Sequence, residues 1–216
     1  MNQLLDPLLM AALALNFVAL GVSRIRAVIS AVALQGMLLG ISTALVHSEI
    51  GLRGIVLVIA TIALKGLIIP GFLGRAMREA NIQHEVKPVV NYMTSLLLGA
   101  VGTGLAMVFS YNSYMLPLAD KHTDLLLVPA SLATVWTGFL LLTTRRKAIM
   151  QVLGYLVLEN GIFLFGLLLL EAMPFLVEVG VLLDLFTGVF VMGIIIFHIN
   201  REFDSISTEH LSELKE

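Results

Sequence analysis

The chain has 216 residues, of which 58% are hydrophobic and 13% charged, with a mean hydropathy of +0.97 and a formal net charge of −2. This composition is far more apolar than a soluble domain with a hydrated surface can carry, so it predicts an integral membrane protein. Because the chain contains no cysteine, disulfides, iron–sulfur ligation and thiolate zinc sites are excluded.

Seven stretches are long and apolar enough to cross a membrane, since a spanning helix needs about 20 mostly apolar residues. The first lacks a basic segment before it, which indicates a membrane span and not a cleaved signal peptide. The fifth is the weakest, because Pro129 and the segment Thr134–Thr137 interrupt it. We therefore predict an all-α integral membrane protein with about seven transmembrane helices, at residues 4–22, 25–47, 52–74, 89–111, 125–144, 148–170 and 176–199.

The basic residues between these spans fall mostly on one side of the membrane. If the loops alternate, only Arg53 and Lys121 lie on one side. The positive-inside rule then places the C-terminus in the cytoplasm and the N-terminus outside, in a cell inner or plasma membrane. The basic residues assigned to the cytoplasmic side are Arg24, Arg26, Arg75, Arg78, Lys87, Arg145, Arg146, Lys147, Arg201 and Lys215.

The sequence also suggests an internal repeat, because spans 1–3 and 5–7 run in the same directions and share a polar pattern. The second helix of each triplet contains a polar residue, Gln35 or Glu159, and the third contains an ionisable one, Lys65 or Asp184. We predict two parallel three-helix units joined by span 4. The predicted boundaries are 1–80 for the first unit, 81–124 for the connector, 125–200 for the second unit and 201–216 for a cytoplasmic tail.

Three ionisable side chains, Glu159, Asp184 and Lys65, are predicted to lie inside the membrane. Counting residues from the turn near Pro174 puts the two acids at similar depth, roughly 15 Å into the membrane, on adjacent antiparallel helices. The same count puts Lys65 level with Gln35. A charged side chain at a helix centre costs about 2.5–3.5 kcal/mol on insertion scales, and intramembrane ionisable groups often mark proton pathways. We therefore expect these three residues to form a proton path.

A purely structural role is the alternative for each of these polar residues. A buried polar side chain can bond across helices and fix their packing, for about 1–2 kcal/mol per contact in model peptides. This interpretation is favoured for Gln35, Asn16 and Asn160, whereas Glu178 is expected near the external end of the last span, where a helix start is solvated. Glu178, Gln35 and Asn160 are thus auxiliary polar candidates.

No motif for catalysis or cofactor binding occurs in the sequence. The five histidines are scattered without the spacing of metal ligands, and no glycine-rich phosphate loop, Ser/His/Asp set or basic nucleic-acid surface is present. We therefore predict no catalytic residue, metal site or cofactor in this chain, and no nucleic-acid partner.

Three segments carry a resemblance to a known family. "GYLVLENGIFLFG", "PFLVEVGVLLDLFTGVFVM" and "INREFDSISTEHLSELKE" resemble the E component of hydrogenase-4 and formate hydrogenlyase complexes. Through its last three helices that family is similar to the K-type (ND4L-like) subunit of respiratory complex I and to the C subunit of Mrp antiporters. The resemblance implies that Glu159 and Asp184 correspond to two membrane glutamates of those subunits, although aspartate replaces glutamate at 184 and the interval between the acids is shorter.

The resemblance further implies a role in a larger assembly. It implies a membrane-arm subunit, not an enzyme by itself, of a group 4 membrane-bound nickel–iron (NiFe) hydrogenase that translocates protons or ions. Its partners would be antiporter-like membrane subunits, a membrane anchor subunit and soluble subunits with NiFe and iron–sulfur centres. Three alternatives remain open: a structural adaptor without ion transport, a subunit of a complex I or Mrp-type complex, and an independent small transporter. The transporter is the weakest of these, because only Pro70-Gly71 and Pro129 suggest the broken helices of transporters.

The charge distribution yields a topology prediction. A reporter fused after Lys215 should be cytoplasmic, and one that replaces residues 112–122 should be external, because the basic residues are concentrated on one side. Protease accessibility or an activity reporter in intact cells measures both positions. Two reporters on the same side of the membrane would contradict a seven-span arrangement.

Overall fold

The structure, a computed structural model, describes residues 2–46, 52–79, 89–112 and 126–168, and every regular element within these segments is a helix. Apolar runs of this length must be helical in lipid, because the helix is the arrangement in which one segment pairs its own backbone polar groups. The elements are α1 (Asn2–Gly21), α2 (Ile25–Val46), α3 (Leu52–Thr61), a π segment (Ile62–Ile68), α4 (Ile69–Glu79), α5 (Tyr92–Asn112), α6 (Leu127–Thr144) and α7 (Ala148–Leu168).

Six spans within the described residues are long and apolar enough to cross a membrane. They confirm the first six predicted spans to within a few residues, with α3, the π segment and α4 together forming the third. The predicted seventh span, 176–199, lies outside the described residues. The parallel repeat and the domain boundaries therefore stay predictions.

The fifth predicted span is an uninterrupted helix, α6. Pro129 lies in its first turn, where a backbone N–H has no intrahelical acceptor and its absence costs little. The hydroxyls of Thr134 and Thr137 donate to the carbonyls of Ala130 and Ala133 in the preceding turn, at 2.7 and 2.9 Å. The residues that weaken the apolar pattern are thus satisfied within the helix itself.

The helices pack around a central group formed by α1, α2, α6 and α7. The α6–α7 pair has the most extensive contact, α2 packs against α1, α7 and the π segment, and α5 covers the outside of α6 and α1. In the spanning part of α6 61% of the residues are buried, against 17% in α5. The apolar outer face of α5 is therefore the side that fits a lipid environment, and α6 lies at the centre of the described helices.

Glycines bring the central helices into backbone contact. A Cβ on Gly161 of α7 would lie 2.5 Å from the Val135 nitrogen of α6, and one on Gly138 would meet the backbone of Leu158. On the other side of the bundle, a Cβ on Gly36 of α2 would lie 2.8 Å from the carbonyl oxygen of Lys65. Small residues such as these let membrane helices approach closely.

Two apolar clusters form the core, one toward each end of the bundle. The first lies near the α1–α2 and α6–α7 turns and includes Leu20, Val28, Leu73 and Leu153. The second lies toward the opposite end and includes Leu9, Leu39, Leu127, Phe163 and Leu164. Along each central helix, a buried polar residue lies between the two clusters.

The glycine contacts predict opposite effects for two equivalent substitutions. Gly138→Ala forces a methyl group into the Leu158 backbone and should destabilise the folded chain by about 1–3 kcal/mol, the usual cost of overpacking. Gly104→Ala on α5, where no atom lies within 4 Å of the added carbon, should be neutral or slightly stabilising, because alanine is the better helix former. Thermal unfolding of the detergent-purified protein measures both. An unchanged melting temperature for Gly138→Ala would contradict the close α6–α7 packing.

Candidate functional site: a buried polar layer

A connected set of five polar residues lies between the two apolar clusters, and its members come from five different elements. Each is at most 5% exposed. Because no polar solvent is present at this depth of a membrane, each of their donors and acceptors needs a partner within the protein. The members of this polar layer are Asn16 of α1, Gln35 of α2, Lys65 of the π segment, Thr134 of α6 and Asn160 of α7.

Lys65 owes its position to a local change in the helix. Pro70 follows five residues later and has no N–H to donate, and its ring would clash with the carbonyl of Gly66 in a regular α-helix. The chain is widened here into a π segment, in which the Ile69 N–H bonds to the Leu64 carbonyl, five residues back. Gly36 has no side chain and therefore allows the Lys65 backbone to pack directly on α2. The side chain of Lys65 consequently enters the bundle.

Hydrogen bonds connect all five members of the polar layer. Lys65 Nζ donates to Asn160 Oδ1 at 3.3 Å, and Asn160 Nδ2 donates to Gln35 Oε1 at 3.2 Å. Gln35 Nε2 donates to Asn16 Oδ1 at 3.0 Å, and Asn16 Nδ2 donates to Thr134 Oγ1 at 2.9 Å. The polar layer thus links four helices and the π segment through consecutive side-chain contacts.

An aromatic ring completes the surroundings of the lysine. Lys65 Nζ lies 5.0 Å from the centre of the Phe163 ring, which is one turn beyond Asn160 on α7. This distance is within the range of a cation–π interaction. One face of α7 therefore presents both a carbonyl oxygen and an aromatic face to the ammonium group.

Glu159 is buried beside this layer, with 5% of its surface exposed. It immediately precedes Asn160, and successive residues of a helix point about 100° apart. The carboxylate and the amide therefore lie on neighbouring faces of α7. Asp184 and Glu178 lie outside the described residues, so the predicted pairing of Glu159 with Asp184 stays a prediction.

The structure confirms several of the expected relations and adds one residue. Gln35 and Lys65 are level and are joined through Asn160, and Asn16, Gln35 and Asn160 bond between helices as expected. Thr134 was predicted only as an interruption of a span, yet it accepts a hydrogen bond from another helix. The sequence did contain one signal for this role: Thr134 lies on a helix face that carries small residues.

The burial of Arg145 is the second feature that the sequence did not predict. Arg145 lies in the turn between α6 and α7, as expected, but its side chain is 1% exposed and Nη2 donates to the Leu20 carbonyl at the end of α1, at 2.6 Å. The guanidinium carbon lies 4.9 Å from the centre of the Tyr92 ring. Burial lowers the pKa of Arg145 from its ordinary value, and the interaction with Tyr92 acts in the opposite direction. Arg145 thus joins α1, α5 and the α6–α7 turn.

No group of three or more His, Asp or Glu residues that could hold a metal ion occurs in the described part of the chain. The described polar layer consists of amides, a hydroxyl and one ammonium group, which are poor metal ligands as a set. The expectation that this chain contains no metal or cofactor stays a prediction.

Apolar helices of spanning length, packed around a buried polar layer, define a multi-pass helical membrane protein. The chain is 32% identical over 194 residues to an uncharacterised protein of Mycobacterium tuberculosis, and the match covers 89% of this chain and 87% of that protein. The chain belongs to the same family as the M. tuberculosis protein.

A more distant relationship connects the chain to hydrogenase-4 component E of Escherichia coli and of Shigella flexneri. The identity is 28% over 151 residues, which cover 70% of this chain and 68% of the relative. This supports the resemblance to component E, whereas the similarity to complex I and Mrp subunits stays a prediction. No protein-family profile and no solved structure matches the chain.

Adjacent arginines provide a test of the Arg145 contacts. Arg145→Ala removes a hydrogen bond to a carbonyl and a contact with Tyr92, so it should destabilise the protein by about 1–3 kcal/mol. Arg146→Ala, at an exposed neighbouring position, should change stability by less than about 0.5 kcal/mol. Thermal unfolding of the two variants in detergent measures the difference. Equal melting temperatures would contradict the buried position of Arg145.

Proposed function

We propose that this chain is a membrane subunit of a hydrogenase complex of the hydrogenase-4 type. The observation that carries this proposal is the relationship to hydrogenase-4 component E over 151 residues. The helical architecture supports it, because a chain with this many apolar spans and no cysteine to ligate iron or nickel fits a membrane-arm role within an oxidoreductase. Antiporter-like subunits, a membrane anchor and soluble NiFe and iron–sulfur subunits are its proposed partners.

Within such a complex, we propose that Glu159, Lys65 and Asp184 contribute to a lateral proton or ion path. The burial of Glu159 and Lys65 between two apolar clusters supports this role. A membrane protein retains ionisable side chains at this depth at a cost of about 2.5–3.5 kcal/mol each, which packing alone does not require. In the described part of this region, the side chains that can exchange protons are the carboxylate of Glu159 and the ammonium group of Lys65.

A structural adaptor is the second candidate, and a specific observation favours it. The amides of Asn16, Gln35 and Asn160 connect three helices, and such contacts fix the register of membrane helices whether or not ions move. The adaptor would seat antiporter-like subunits against the rest of the complex. The two candidates differ in what they require of Glu159: the path needs an exchangeable proton, and the adaptor needs only hydrogen bonding and shape.

The substitution Glu159→Gln separates these candidates. The amide keeps the shape of the side chain but loses the exchangeable proton, so the complex should assemble with near-normal hydrogenase activity on soluble electron carriers while proton translocation falls. Asp184→Asn should behave in the same way. The double variant should translocate little less than either single variant, because the effects of substitutions in series on one path do not add. Translocation is measured as acidification of inverted membrane vesicles during hydrogenase turnover.

The adaptor candidate predicts a different set of results. Glu159→Gln would then be nearly silent, whereas Glu159→Leu would impair assembly, because an apolar side chain leaves a buried partner without its hydrogen bond. An assembled Glu159→Gln complex with wild-type translocation would contradict the assignment of Glu159 to an ion path and favour the adaptor.

A further inference from the structure

We propose that Thr134, Asn16, Gln35 and Asn160 form a hydrogen-bond chain of fixed direction that positions the ammonium group of Lys65. Thr134 and Asn16, which do not contact Lys65 through the described bonds, are thereby positioning residues of the ion path. The inference rests on the proposed function of Lys65. It deepens that function by assigning a role to residues on α1 and α6.

The direction of the chain is fixed at both ends. At one end, Lys65 Nζ can only donate, so Asn160 must present its oxygen to it. At the other end, the Thr134 hydroxyl donates its one hydrogen to the Ala130 carbonyl, so it can only accept from Asn16. The two ends therefore require the same order of donors and acceptors.

The three amides between these ends have one consistent orientation. Each presents its oxygen toward Lys65 and its nitrogen toward Thr134. Turning a single amide over would place two donors together on one side and two acceptors together on the other, and buried polar groups left without partners are costly. All four side-chain groups thus direct their negative ends toward the lysine, which is the arrangement that suits a positive charge.

Every link of the chain is within hydrogen-bonding distance, with donor–acceptor separations of 3.3, 3.2, 3.0, 2.9 and 2.7 Å from the lysine to the Ala130 carbonyl. Hydrogen bonds in a connected chain polarise one another, so a change at Thr134 reaches the contact with Lys65. Neither the three amides nor the threonine hydroxyl ionises at neutral pH, so these four residues hold the ammonium group in place and do not conduct protons themselves.

Two threonines one turn apart provide a matched pair for the test. Thr134 and Thr137 are both buried on α6, and the hydroxyl of each donates to a carbonyl of its own helix. Thr134 also accepts the hydrogen bond from Asn16. Valine at either position removes a hydroxyl at nearly constant shape, but only Thr134→Val removes the end of the chain.

The experiment compares Thr134→Val, Thr137→Val, Thr134→Ser and Lys65→Met in the assembled complex. Hydrogenase activity on a soluble electron carrier reports assembly, and acidification of inverted membrane vesicles per hydrogen turned over reports coupling. Thr134→Val should lower coupling about two- to tenfold, the effect of one lost hydrogen bond. Thr134→Ser should restore it, Thr137→Val should leave it unchanged, and Thr134→Val should add nothing to Lys65→Met, because both act on one group.

Two results would overturn the inference, and they are distinguishable. If Lys65→Met abolishes coupling while Thr134→Val behaves like Thr137→Val, the chain does not position Lys65 and the proposed path is unaffected. If Lys65→Met leaves coupling at the wild-type level in an assembled complex, both the path through Lys65 and the inference fail. Should Thr134→Val not assemble, Thr134→Ala with Thr137→Ala as its control makes the same comparison.

Discussion

The interaction on which this structure depends is the contact of a buried ammonium group with protein oxygen atoms. Hydrocarbon offers no hydrogen-bond partner, so the lysine of the third span must find its acceptors on other helices. Lys65 finds one on Asn160 of α7, and the amide group of Asn160 then needs an acceptor in its turn. Each further side chain needs an acceptor for its own N–H or O–H group, and the series ends at a backbone carbonyl of α6. The central helices are arranged so that each of these donors has an acceptor.

Short side chains can meet this requirement only if the helices approach closely. In three elements a glycine directly follows the polar residue: Gly36 follows Gln35, Gly66 follows Lys65 and Gly161 follows Asn160. Each of these glycines lies against a neighbouring element, with no room for a Cβ. Close contacts between elements therefore occur at the level of the polar layer, where asparagine and glutamine must reach across. The same pairs of adjacent residues, a polar residue and the glycine after it, therefore provide both the hydrogen bonds and the close packing.

Much of the fold was predictable because its signals are local. Spans follow from the length of apolar runs, and the level of Gln35 with Lys65 follows from counting residues along two antiparallel helices. The π segment was not predicted, since Pro70 could equally have produced a break or a kink. The burial of Arg145 was not predicted either, because its acceptor on Leu20 is 125 residues away in the sequence. Long-range partners of this kind are set by how helices pack, which periodicity does not specify.

Two buried residues of this region are ionisable, Lys65 and Glu159, whereas the other members of the polar layer are neutral. Asn160 and Glu159 are consecutive on α7, so any movement of this helix displaces the acceptor of Lys65 together with the carboxylate. Glycine contacts join α7 to α6, and the Asn16–Thr134 bond joins α6 to α1. The lysine lies instead on the third span, whose spanning part is 33% buried, against 56% for α2 and α7. If the distance between carboxylate and ammonium group changes during ion transfer, the third span has less buried surface to disrupt than α2 or α7.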